Sequence, residues 1–114
     1  MSNKRIETEG KVLAIATYKP KAGQDKELMQ LVEKHLPALR KLGLVTGKTG
    51  YLAKSKDGTV IEVFEWVSVE AIDAAHQHPA IADIWEKMTI VADFNPMNTL
   101  PESKKPFPGF EMVN

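Results

Sequence analysis

The sequence predicts an α+β fold of order β-α-β-β-α-β, the ferredoxin-like split βαβ with an antiparallel sheet. Three observations predict it. A β-branched run closed by proline, "VLAIATYKP", stands near the start. A long stretch of helical periodicity follows. An Asp-Gly pair then joins two further strand-like runs, after which helical periodicity returns. At 114 residues the chain is one domain with a single core.

The first strand spans Lys11 to Pro20. In the helix after it, Leu28, Val32, His35, Leu39 and Leu42 recur at steps of three or four, so one face is apolar. Gly43 stops this helix, with Arg40 and Lys41 in the last turn, where cations offset the helix dipole. Pro37 sits inside the pattern and is expected to kink it, because its ring displaces the carbonyl of Glu33.

Asp57-Gly58 reads as a two-residue type I′ turn. That turn pairs Lys56 with Thr59, and so sets Ala53 opposite Glu62, Tyr51 opposite Phe64 and Thr49 opposite Trp66. Side chains alternate along strands, so these six share one face, and Leu52, Lys54, Ile61 and Val63 share the other. Ser68 caps the next helix, with Glu70 in its first turn. Pro79 breaks that helix and opens a second piece, whose stripe of Ile81, Ile84, Trp85, Met88 and Val91 assigns Trp85 to the core.

The remainder holds Pro96, Pro101, Pro106 and Pro108. It reads as a short strand around Met97 to Leu100 and a Pro-rich arm over residues 101–114, whose Phe107, Phe110 and Met112 need apolar surface on the domain or a partner. Residues 1–10 are polar and read as a flexible N-terminus, which leaves 11–100 as the folded domain.

Fifteen basic and fifteen acidic residues give zero formal charge. Without a concentrated positive field, neither nucleic acid nor an anionic membrane is an expected partner. The absence of cysteine excludes disulfides, thiolate nucleophiles and cysteine-ligated metals. The N-terminus lacks an apolar signal region, and the longest apolar run, Val12 to Ala16, is far too short to span a bilayer, so a cytoplasmic protein is expected. In a split βαβ the helices cover one sheet face. Here the other face is apolar too, which predicts a homodimer stacked sheet on sheet.

"WVSVEAIDAAHQHPAIADIW", with Trp66, Ser68, Ala71, His76 and Pro79, resembles the antibiotic-biosynthesis-monooxygenase-like family of dimeric α+β barrels. "VLAIATYKPKAGQDKELMQLVEKH" is similar to the opening strand and helix of that family, and the resemblance covers about residues 11 to 92. It implies that residues 11–100 form half of a dimeric barrel. It also implies an oxygenase of quinols or anthrones that uses no cofactor. Haem-degrading members carry an Asn in the first strand, a Trp in the helix after the third and a His beyond it. The corresponding positions here, Ala16, Ala75 and Trp85, do not match, which argues against haem.

His76 lies four residues after Ile72, on the inward face of its helix. It is either a hydrogen-bonded histidine at a helix end or a ligand-contacting general base. With His78 it makes a poor metal pair, since residues two apart on a helix diverge by roughly 200°; no metal is expected. His35 stands where leucine would be ordinary, and either bonds a carbonyl freed at Pro37 or reaches a pocket. Glu62 is either a carboxylate among aromatics, paired with a cation or shifted towards its protonated form, or a solvated edge residue. Trp66 fills the core or walls a pocket. Ala14 and Ala16 leave room for a planar ligand or admit a close helix. In the oxygenase reading His76 or His35 takes the proton, and Trp66, Tyr51, Glu62 and Phe64 hold the ring. The competing reading is a non-catalytic dimeric barrel that binds a small hydrophobic ligand, or a structural protein.

Overall fold

A computed structural model describes residues 10–114; the reading of the N-terminus as flexible falls largely outside them. Among the described residues, five strands and three α-helices follow one another as β1 (Val12–Pro20), α1 (Asp25–Lys41), β2 (Tyr51–Lys54), β3 (Val60–Trp66), α2 (Val69–Gln77), α3 (Pro79–Val91), β4 (Ala92–Asp93) and β5 (Glu111–Met112). The sheet is antiparallel, in the order β4-β1-β3-β2-β5. This is an α+β architecture compatible with the ferredoxin-like arrangement. No helix among the described residues is long and apolar enough to cross a membrane.

Local signals place the helices well. Leu28, Val32, His35 and Leu39 of α1 are buried. Leu42, expected to continue that stripe, is instead the residue that ends the helix and is exposed. The helix runs unbroken through Pro37. Ser68 Oγ accepts the Ala71 N–H at 3.1 Å and so caps α2. At the next break His78 Nδ1 accepts the Ala80 N–H at 3.2 Å, while Pro79 occupies the first turn of α3.

The β2–β3 connection departs from expectation, with consequences for the site. Ser55 N–H donates to the Thr59 carbonyl (2.9 Å) and Gly58 N–H to that of Ser55 (3.0 Å), so the loop holds three residues rather than two. Gly58 takes φ +89°, a left-handed conformation that glycine adopts without steric cost. The register is therefore one residue away from the expected one: Tyr51 pairs with Val63, Leu52 with Glu62 and Ala53 with Ile61. Val45, not Thr49, bridges to Trp66. A slip of one residue moves a whole strand to the opposite face. Tyr51 and Ala53 accordingly look away from the helices with Ile61 and Val63. Leu52 and Lys54 share the helix side with Glu62, Phe64 and Trp66.

Met97–Thr99 is a 3-10 turn rather than a strand, closed by Thr99 bonds to the Pro96 carbonyl. The pairing expected there is made earlier, by β4 against Lys19 and Pro20. The arm also forms more structure than its proline content suggests. After a second 3-10 turn over Pro101–Lys104, β5 adds to the edge of β2. Phe110 packs on the cluster of Ala53, Ile61 and Leu100 over the outer sheet face, whereas Phe107 is 93% exposed. On the same face Leu13 and Tyr51 remain 66% and 59% exposed.

Candidate functional site

Between the sheet and the helices lies a cavity of about 330 Å³. Ala14, Ala16 and Tyr18 of β1 form its floor with Phe64 and Trp66 of β3, and His35, His76 and Trp85 come in from the three helices. The alternation of β1 explains the floor, since residues two apart share a face and two alanines leave the space open. Phe64 and Trp66 meet edge to face at 5.3 Å between ring centroids. A mostly apolar hollow with a few polar groups at its wall suits a small planar aromatic.

A polar network runs beneath that wall. Glu62, 1% exposed, accepts the Tyr18 hydroxyl at 2.7 Å and His35 Nδ1–H at 2.9 Å. Trp85 Nε1–H donates to His35 Nε2 at 2.8 Å. Indole nitrogen can only donate, so Nε2 of His35 must carry the lone pair and Nδ1 the proton. That assignment makes the Glu62 carboxyl an acceptor in both of its bonds, the role a carboxylate fills. Among the described residues no Lys or Arg pairs with it. Burial, and then the charge of Glu62 beside it, push the Tyr18 phenol far above its ordinary range, so Tyr18 stays protonated and donating.

His76 stands on the exposed side of the cavity. Its Nδ1 lies 2.9 Å from the Ile72 carbonyl, which can only accept, so Nδ1 carries the proton and Nε2 the lone pair of the neutral ring. The ring packs on Trp85 at 4.9 Å between centroids. A helix-end hydrogen bond therefore sets the tautomer of a residue that also lines the cavity.

Four of the candidate residues, His35, His76, Phe64 and Trp66, converge on this cavity. Glu62 does not line it but bonds two residues that do, and the reading of Glu62 as a solvated edge residue is overturned by its burial. Tyr51 is on the opposite sheet face, because the register of β2 is shifted by one residue, and takes no part in this cavity. His35 bonds Glu62 and Trp85 rather than a carbonyl freed at Pro37. Sequence reasoning missed Tyr18 and gave Trp85 a core role alone, whereas it packs against both core clusters and also lines the cavity. The alternation Ala14, Ala16, Tyr18 was a usable signal for the first, and the need of a buried indole N–H for a partner was one for the second.

No protein-family model matches the chain, and no curated protein matches it. Among solved structures, a crystal structure of a conserved protein from Methanosarcina mazei Go1 aligns with a TM-score of 0.61 and 14% sequence identity, over 80% of this chain and 90% of that one. The likeness is one of fold.

Proposed function

We propose that this chain is a cofactor-independent oxygenase of the antibiotic-biosynthesis-monooxygenase type, acting on a small quinol- or anthrone-like aromatic. One observation carries the reading: His76, with its tautomer set, and the rings of Phe64, Trp66 and Trp85 line a single cavity above Ala14 and Ala16. In this scheme the His76 Nε2 takes a proton from the substrate. The resulting anion passes one electron to O₂, and the radical pair combines to form a carbon–oxygen bond. His76 returns the proton to the peroxide, which loses water. A ring CH₂ and O₂ thus become C=O and H₂O. The protein supplies only position, an apolar enclosure and the base. His35 has both ring nitrogens engaged, so its role is to hold Trp85 and Glu62 in place. Nothing in this reading requires a metal or cofactor.

That same engagement of His35 favours the second reading, a barrel that binds a hydrophobic ligand without turning it over. Oxygen uptake by metal-stripped protein with a panel of hydroquinones and anthrones separates the two. The oxygenase reading expects uptake above the spontaneous rate, reduced at least about tenfold in a folded His76→Ala variant. Quenching of tryptophan fluorescence by the same compounds, with uptake at background, establishes the binding reading instead.

The finer architecture, two copies closed into a dimeric barrel, is supported by the exposed Leu13, Ile15 and Tyr51 on the face opposite the helices, and by Met97 and Met112 beside them. Sedimentation is expected to give a dimer that Leu13→Glu disperses and that deletion of residues 101–114 weakens. A wild-type chain monomeric at high concentration refutes it.

A further inference from the structure

Glu62 stands between two cavities. Through Tyr18 and His35 it reaches the aromatic cavity, and it is itself part of the wall of a second one, of about 240 Å³, on the β2 side of the sheet. Val32, Glu33 and Leu36 of α1, Leu52 of β2, and Val113 and Asn114 contribute to that wall. The outer side is built by chain that follows β5. Val113 N–H bonds the Leu52 carbonyl at 2.9 Å, and the Asn114 side chain spans the Leu52 N–H and the Gly50 carbonyl, each at 3.0 Å. Glu33 is exposed there, so a second carboxylate stands between this cavity and solvent.

We propose that Glu62 is a proton relay that joins the aromatic cavity to solvent through this second cavity. The proposal rests on the aromatic cavity being a ligand site. A phenolic ligand would place its hydroxyl against Tyr18 Oη. The ligand proton passes to Oη as the Tyr18 proton moves along its 2.7 Å bond to Glu62 Oε1. Glu62 then releases that proton to solvent in the second cavity, and the ligand remains as its phenolate. Bonds and protons balance, with no change of oxidation state. Tyr18 suits the middle position because its phenol holds its proton unless another arrives. His35 is a positioning residue: its Nδ1–H fixes the carboxylate from the other side.

Nuclear magnetic resonance on the full chain, with ¹³C-labelled tyrosine and no ligand, tests the relay directly. Exchange of the Tyr18 Oη–H proton with solvent is expected to run at least tenfold faster than that of the backbone amides of Glu62 and Phe64. Val113→Trp, which fills the second cavity from the sheet edge, is expected to slow that exchange at least tenfold while leaving those amides unchanged. Glu62→Gln is expected to do the same if it folds, and the Val113 variant keeps the test decisive if it does not. Exchange no faster than the core amides, or unaffected by Val113→Trp, overturns the relay. Binding of 4-nitrophenol, read from its phenolate absorbance, tests the ligand site separately. A chain that binds it while exchanging only at the core rate keeps the site and loses the relay. A chain with the exchange path and no binding keeps the relay and loses the site.

Discussion

Glu62 and Glu102 are almost equally hidden, at 1% and 4% exposure, yet the regions around them are built differently. Glu102 sits in the arm and accepts Ser55 Oγ–H at 2.7 Å and the Lys56 N–H at 2.9 Å, both from the β2–β3 loop. The Ser55 hydrogen bond, opposed by burial and aided by Lys56, holds its carboxyl below the usual range. This is a clasp: it fixes the arm to a turn and lines neither of the two cavities beside Glu62. Glu62 takes its bonds from Tyr18 and His35, whose other surfaces line a hollow. Burial alone does not separate a carboxylate that fixes a loop from one whose donors border a cavity. What the donors border does: Ser55 and the Lys56 amide belong to a turn, whereas Tyr18 and His35 also line the aromatic cavity.

The largest effect that this contrast predicts is on stability. Glu62→Ala leaves a buried hydroxyl and a buried imidazole N–H without their acceptor, and urea denaturation is expected to show a loss of about 3–5 kcal/mol. A loss below about 1 kcal/mol would mean that the donors find water or one another, and would remove the distinction between the two sites. Glu102→Ala is expected to lose less, because the loop donors turn to solvent more easily. Its mark is local: protease cleavage within residues 101–110 should speed up there and not in a folded Glu62 variant.

The smallest effect is in the acid range. Asp57, in the same loop, is lowered from 3.8 to about 2: burial opposes the shift, but hydrogen bonds with Thr59, then Lys19 and Ser55, outweigh it. Glu102 is lowered as well. A folded-state pKa below the unfolded one gives stability that is complete above the ordinary carboxylate range and is lost as pH falls through the folded value. Thermal midpoints should therefore fall as pH drops from about 4.5 towards about 2, less steeply in Glu102→Gln. A Glu102→Gln profile parallel to the wild type would show that the clasp is not what titrates.

Much of this is legible in the amino-acid sequence. The stripe of α1, the Ser68 cap, the Pro79 break, and the common face of Glu62, Phe64 and Trp66 all follow from short-range periodicity and capping chemistry. Those faces also point His35, His76 and Trp66 towards one another. The register of β2 is not legible, because Asp57-Gly58 serves a two-residue and a three-residue loop alike, and the choice appears only in the Ser55–Thr59 bond beside the Glu102 clasp. Tyr51 is misplaced by the sequence reading for that reason alone. Trp85 is read as core alone because periodicity reports which side of a helix is apolar, not whether that side meets only packed atoms or also a hollow.

The elements, their order and most of the residues they present to the helix layer thus come from the sequence unaided, since they depend on spacings of a few residues. The joining of Tyr18, Glu62, His35 and Trp85 in one network, from four different elements, was settled by tertiary packing. Hydrogen bonds form within about 3 Å, and no pattern within one segment specifies how closely another will approach it.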